Sequence, residues 1–252
     1  MKCYAKKLIE IAEAEVGYLE KASNKNLESK TANAGKNNYT KYADYFDKEY
    51  TNFYNGKKNG YAWCDMFVDW CFVQAFGKER GRTIIFQPLK SCGAGCEFSR
   101  KYYKEKGRLY SKPKMGDQIF FYNSSKTEVA HTGIVYKVDN SKVYTIEGNT
   151  SSASGVVANG GAVAKKSYSL TYSRIAGYGR PDYDEEPVET KKETTPAKKD
   201  YQCIHTVQKG ESLWLLATKY LGNGTRYTEI MKLNDKKNTT LKVGEKLKIP
   251  NK

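Results

Sequence analysis

The 252-residue chain contains no run approaching the ~18 apolar residues that a membrane-spanning helix requires, so no such helix and no membrane insertion are expected. It also lacks the unbroken apolar core of a secretory signal. The opening MKCYAKKLIEIAEAEVGYLE starts positively charged, but Glu10, Glu13 and Glu15 interrupt the stretch that would have to be apolar. Leu8, Ala12 and Val16 recur there every four residues instead, as in an amphipathic helix. Histidine is scarce, at two residues, so any histidine-dependent chemistry has few places to occur. Acidic residues are outnumbered, 28 against 43 Lys and Arg, and the net charge is +15.

A positive surplus fits a solvated surface, nucleic-acid binding or attraction to any polyanion, and selects none of them alone. Its distribution divides the chain. Residues 1–180 hold 29 basic and 17 acidic side chains, residues 201–252 hold 10 and 4, and the intervening 181–200 hold 4 and 7. That middle stretch, PDYDEEPVETKKETTPAKKD, is nearly devoid of apolar residues and reads as an extended linker between two independently folding pieces. Tyrosine is abundant, at 21, with a dense cluster from Tyr39 to Tyr61 suited to stacking on bases or sugar rings.

The first piece, 1–180, reads as helices followed by strands. Trp63, Phe67, Val68, Cys71, Phe72 and Ala75 have the spacing of a buried helical face that ends at Gly77. Gln118 to Tyr122, His131 to Val138 and Val143 to Glu147 read as short antiparallel strands separated by polar turns. Helices segregated from an antiparallel sheet make an α+β domain. The second piece, 201–252, reads β-α-α-β: a strand over Ile204–Val207, helices over Ser212–Tyr220 and Tyr227–Leu233, and a strand over Leu247–Ile249. One cysteine, Cys203, excludes an internal disulfide there, so a core around Leu213, Leu216, Ile230 and Leu233 must hold it.

His131 is the sole candidate general base of the larger piece, at the start of a predicted strand, although a single histidine also fits a structural role. Cys64 stands at the start of a predicted helix, where unpaired amides and the helix dipole favour a thiolate nucleophile. Asp65 beside it opposes that effect, and a cysteine near an apolar helix also serves as a small buried hydrophobe, a reading that suits Cys71 better. If the strand through Val143 continues, Glu147 and Asn149 point to one side, where both could face His131. A carboxylate there would hold the imidazole's tautomer and orientation. Each also has a bland reading, as a solvated strand-end acid and a turn residue.

The blocks AWCDMFVDWC, MGDQIFFY, AHTGIVYKV, VYTIEGNT and IAGYGRP, in that order, resemble the CHAP family of cysteine, histidine-dependent amidohydrolases/peptidases. The resemblance spans most of residues 1–180. It implies a papain-like fold of helices packed on an antiparallel sheet, with Cys64 as nucleophile, His131 as base, Glu147 as orienting acid and Asn149 at the auxiliary polar position. Asp65 departs from the small residue usual beside the nucleophile.

The stretch HTVQKGESLW, with IMKLN and VGEKLKIP, resembles a LysM domain across the whole second piece. This implies a shallow groove for N-acetylglucosamine-containing glycans, made by Lys209, Gly210, Glu211 and Ser212 together with Asn234, Asp235 and Lys236. Trp214 is expected in the core.

The two resemblances together imply a phage endolysin-like peptidoglycan hydrolase. Its partners would be bacterial peptidoglycan, glycan and stem peptide, with anionic wall polymers drawn to the basic surface. The bond cut would be either the N-acetylmuramoyl-L-alanine amide or a peptide bond of the stem or cross-bridge. Without a visible export signal, such an enzyme would be made in the cytoplasm and act at the wall after release. The rival class is a non-catalytic wall-glycan-binding protein with a silent CHAP domain, motivated by Asp65. No nucleic-acid motif is recognisable, and no such partner is expected. No cofactor or metal is expected: Cys92 and Cys96 form a C-x3-C pair, but Cys64 and Cys71 are spaced wrongly for a four-cysteine zinc site, and free thiols or a local disulfide suit the pair better. Asp44, Asp47 and Glu49 offer oxygens but lack the alternating pattern of a calcium loop.

Overall fold

A helix whose residues are apolar on every side has no face to give to water and must lie inside the protein. The segment Cys64–Phe76 is such a helix, α3, and eleven of its thirteen residues are buried. In the computed structural model, which describes residues 4–184 and 201–251, α3 is the axis of the first of two units, Met1–Glu186 and Pro187–Lys252. Around it pack α1 (Ala5–Ala14), α2 (Lys41–Glu49), α4 (Lys78–Thr83) and α5 (Cys96–Glu105). The amphipathic reading of the N-terminus corresponds to α1, which buries Leu8 and Ala12.

The strands follow the helices. β1 (Leu109–Tyr110), β2 (Gln118–Tyr122), β3 (Val129–Val138), β4 (Lys142–Thr150), β5 (Ala162–Ser169) and β6 (Ile175–Gly179) form one sheet in the order β1-β6-β2-β3-β4-β5. Every pairing is antiparallel. Phe120, Ile134 and Ile146 join α3 in the main core, while Ile119, Phe121, Val135, Val143 and Tyr168 form a second apolar cluster, as the two-residue period of strands requires. The unit is therefore α+β, with helices and an antiparallel sheet sharing a core.

Two glycines set how closely the elements approach. A Cβ on Gly148 would lie 2.6 Å from Phe67 Cβ and 2.9 Å from the Trp63 ring, so β4 can lie against the start of α3 only without a side chain there. A Cβ on Gly133 would lie 2.5 Å from Glu147 Cγ, so the Glu147 side chain passes directly over the backbone of β3.

Of the expected linker, residues 185–200 lie outside the described residues. Residues 181–184 stay with the first unit. The Tyr183 hydroxyl donates to the Gly116 carbonyl at 2.9 Å, and the Asp182 amide to the Ile84 carbonyl at 2.7 Å.

The second unit has the order β-α-α-β: β7 (Tyr201–Thr206), α6 (Leu213–Leu221), a 3-10 turn (Gly224–Arg226), α7 (Tyr227–Leu233) and β8 (Lys246–Pro250), with β7 antiparallel to β8. Its core comprises Val207, Leu213, Leu216, Ala217, Leu221, Ile230, Leu247 and Ile249. Leu233, expected in that core, is only half-buried because α7 ends on it. Trp214 also departs from expectation. It is 52% exposed and leans towards Tyr227, with ring centroids 6.3 Å apart, because Leu213 and Leu216 already occupy the inward face of α6.

Gly133→Ala should cost about 1–3 kcal/mol of stability through overpacking. Denaturant unfolding of variant and parent checks this, and a change below that range would mean that Glu147 moves aside freely.

Candidate active site

Strand β3 carries His131 and Gly133 on one face, and β4 carries Thr145 and Glu147 on the same face, since Val135 and Thr145 are register partners. His131 Nε2 lies 2.9 Å from Glu147 Oε2, and both side chains have no solvent exposure. A buried carboxylate needs donors for its remaining lone pairs. Thr145 Oγ1 donates to Oε1 at 2.5 Å, and the Tyr168 hydroxyl donates to Oε2 at 3.2 Å. Glu147 is thus fixed from three directions, and the Phe121 ring lies 6.0 Å from the imidazole in a stacked orientation. With Nε2 committed to Glu147, the other ring nitrogen, Nδ1, is buried without a hydrogen-bond partner among the described residues.

Cys64 is the first residue of α3, where Trp63, the N-cap, offers no side-chain cap. The amides of the first turn are then available to a negative charge. Trp63 is itself held by an indole hydrogen bond, 3.0 Å, to the buried Glu20 carboxylate. The Cys64 thiol is pulled well below its ordinary pKa. A hydrogen bond from Cys96 is the largest cause, opposed by burial and reinforced by the neighbouring His131 and by the Asp65 amide. Burial disfavours a charged His131, but the Cys64 sulfur and the Glu147 carboxylate outweigh it and raise its pKa to about 9. Both shifts favour a thiolate–imidazolium pair over a thiol beside a neutral imidazole.

The Cys96 contact was not legible in the sequence. Cys96 opens α5, and its Sγ lies 3.5 Å from Cys64 Sγ. It does not pair with Cys92, whose thiol donates to the Phe53 carbonyl at 3.0 Å. Burial raises the pKa of Cys92 to about 12 and that of Cys71 well above the ordinary thiol value, so both are inert packing residues.

Asp65, adjacent to the sulfur in sequence, turns its carboxyl group elsewhere. Its Oδ2 accepts from the Gly95 amide at 3.1 Å and from the Ser99 hydroxyl at 2.8 Å, and its Oδ1 accepts from Gln118 Nε2 at 3.1 Å. Burial, then the neighbouring Asp69 and Cys64 charges, raise its pKa well above the carboxylate range. Through these three bonds Asp65 ties the first turn of α5 to α3 and β2.

Asn149 stands apart from the imidazole's partners. Its backbone is left-handed, φ 53°, and the β4–β5 register slips between Glu147 and Thr150, so the alternation that would align it with Glu147 is broken. Its Oδ1 accepts from the Gly161 amide at 3.3 Å and its Nδ2 reaches Asn38 Oδ1 at 3.5 Å. Asn149 braces the loop beside the site.

In the second unit, several residues expected to line the glycan groove are occupied in shaping its loops. Glu211 accepts from the Gln208 amide at 2.7 Å and meets His205 Nε2 at 2.6 Å, and Ser212 caps α6. Asn234 bridges the Ile230 and Lys248 carbonyls, both at 2.7 Å, and Lys236 pairs with Glu245 at 2.6 Å. Gly210 and Asp235 hold left-handed turns, and Lys209 and Asp235 are exposed. Ser212, Leu213, Trp214, Tyr227 and Thr239 line a cavity of about 390 Å³. Of the residues considered for calcium, Asp47 accepts from the Lys58 and Asn59 amides, at 2.8 and 2.9 Å, and Asp44 pairs with Lys48 at 2.8 Å. Among the described residues no group of three His, Cys, Asp or Glu side chains is arranged to hold a metal ion.

Iodoacetamide should alkylate Cys64 at pH values well below those needed for an ordinary thiol, and Cys96→Ala should shift the pH–rate curve upward. Peptide mass mapping across a pH series reads this; an unshifted curve would remove Cys96 as a thiolate donor.

Comparison with known families matches a CHAP domain model over residues 56–149 and a LysM domain model over residues 205–250. No curated protein matches the chain. Among solved structures, one described as "The crystal structure of Ly7917" is similar at 12% identity and a TM-score of 0.39, covering 70% of this chain and 62% of the other. The match over 56–149 contains Cys64, His131, Glu147 and Asn149, the match over 205–250 contains most of the β-α-α-β unit, and the chain accordingly carries a CHAP domain and, C-terminal to it, a LysM domain.

Proposed function

We propose that the protein hydrolyses peptidoglycan by cysteine catalysis while its LysM domain holds the wall glycan. The CHAP match indicates a peptidoglycan hydrolase and the LysM match indicates glycan binding. The observation that carries the finer reading is the buried Cys64, His131 and Glu147 group, in which the imidazole has one nitrogen on a carboxylate and the other without a hydrogen-bond partner.

The Cys64 thiolate attacks the carbonyl carbon of an amide, and the tetrahedral oxyanion is met by the Cys64 backbone amide at the start of α3. His131, already protonated, gives its Nδ1 proton to the departing nitrogen. The acyl-enzyme is then released by water, from which His131 takes a proton back. Glu147 holds the ring by Nε2 and leaves Nδ1 as the nitrogen that serves the reaction, and Asn149 braces the adjoining loop. The scissile bond is the amide between muramic acid and the first alanine, or a peptide bond of the stem or cross-bridge; both leave glycan strands whole. We assign the site of action to the bacterial wall, after release from the cytoplasm in the manner of an endolysin. Tethering through 201–252 raises the local substrate concentration, and the net charge of +15 adds a salt-sensitive attraction to anionic wall polymers.

Asp65, which motivates the silent-domain alternative, commits its carboxyl group to Gly95, Ser99 and Gln118, and this supports the catalytic reading.

Soluble muropeptide hydrolysis should fall by roughly 10³-fold or more in Cys64→Ala. The alkaline limb of the parent's pH profile should lie near pH 9, because His131 must be protonated to serve the leaving group. Glu147→Gln should move that limb to lower pH by withdrawing a raising influence. Equal rates in parent and Cys64→Ala would end the proposal, and mass spectrometry of the products names the bond. Removing 201–252 should weaken binding to whole walls and leave soluble hydrolysis intact; undiminished wall binding would refute the tether.

A further inference from the structure

Cys96 has no task in the hydrolytic cycle beyond its hydrogen bond, yet its sulfur is 3.5 Å from that of Cys64. The two cysteines occupy equivalent places, each the first residue of its helix, α3 and α5. Their opposition is built rather than incidental, because Asp65, the second residue of α3, grips the Gly95 amide just before Cys96 and the Ser99 hydroxyl one turn after it. A disulfide has its sulfurs about 2.05 Å apart, so the pair needs to close by roughly 1.5 Å. The other cysteines of the unit's core offer no competing partner among the described residues: Cys71 is enclosed in the apolar core, and Cys92 is bonded to the Phe53 carbonyl.

We propose that Cys64 and Cys96 are a reversible redox pair, joined by peroxide into a disulfide that caps the nucleophile and protects it from irreversible oxidation. The capping of activity rests on the hydrolytic reading of Cys64; the disulfide itself does not.

The two sulfurs are suited to different halves of the reaction. The Cys64 thiol is shifted towards the thiolate, and Cys96, through its bond to Cys64 and its burial, towards the thiol. The Cys64 sulfur attacks one oxygen of hydrogen peroxide, the O–O bond breaks, and hydroxide leaves and is protonated to water. Cys64 is now a sulfenic acid, having lost two electrons to the peroxide. The Cys96 sulfur attacks the sulfenic sulfur, the S–O bond breaks, and the hydroxide departs as water with the Cys96 proton. Two thiols and one peroxide give one disulfide and two waters. A dithiol reductant reverses the bond by thiol–disulfide exchange. Were Cys96 absent, further peroxide would carry Cys64 to sulfinic acid, which a dithiol does not repair.

The test uses the full-length protein, reduced with dithiothreitol, desalted and exposed to hydrogen peroxide. Free thiols are then blocked and the protein digested without reduction. The expected product is a peptide pair linked through Cys64 and Cys96, with muropeptide hydrolysis lost and then largely regained on adding dithiothreitol. Cys96→Ser and Cys96→Ala, each compared with its own untreated rate, should lose activity to peroxide and not regain it. A map showing sulfinic acid at Cys64 with no linked peptide would overturn the proposal, as would equal recovery in parent and Cys96 variants. If the linked peptide forms in a protein that hydrolyses nothing when reduced, the redox pair is upheld and the hydrolytic reading is what fails.

Discussion

An imidazole and a carboxylate with no access to water must replace every hydration contact they have given up, and each hydrogen bond they lack weakens the charged form. Glu147 meets that requirement fully, and His131 meets it on Nε2 alone, since its Nδ1 has no hydrogen-bond partner among the described residues. Glu147 has Thr145 and Tyr168 besides the imidazole, and the imidazole has Glu147 on one nitrogen and the charge of the Cys64 sulfur to balance its own. The pair can exist only where β3 permits a side chain to pass over its backbone, which is why Gly133 lies beneath Glu147. The sulfur completes the set from another element, delivered by the end of a helix too apolar to lie anywhere but the centre.

A central helix with two buried aspartates needs an explanation, and the same accounting supplies it. Asp69 accepts from the Tyr54 hydroxyl at 2.9 Å and from Gln87 Nε2 at 2.6 Å, and burial raises its pKa to about 7. Asp65 holds α5 and β2 to the first turn of α3. These polar anchors fix where the loop before α5 meets α3, and so fix the distance between two sulfurs that the apolar core alone would leave to chance.

Much of the fold could be read from periodicity. The helix from Cys64 to Phe76 and strands β2 and β3 follow from apolar spacing, and the β-α-α-β order of the second unit follows from short, well-punctuated segments. The nearness of Glu147 to His131 was legible because both lie on strands joined by a short turn, so alternation gives their faces. Asn149 was misaligned because alternation presumes a regular strand, and a left-handed residue in a register slip breaks it. Trp214, expected in the core, is half exposed because only part of a short helix can face inward and Leu213 and Leu216 take that part. The Cys64–Cys96 contact had no local signal at all: thirty-two residues separate the pair, and only Asp65, seemingly an irregularity, encodes their meeting.

Each unit is built on a core of its own. The smaller rests on eight fully buried apolar side chains, Val207 to Ile249, and the larger on an extensive aromatic and aliphatic core with a second cluster on its sheet. Little buried surface means a shallow free-energy well, so warming should melt the two pieces at separate temperatures, the smaller first. On the proposed function, the molecule would keep its chemistry between those temperatures while losing its grip on insoluble substrate, and heat tolerance would depend on which of these two abilities an assay reads.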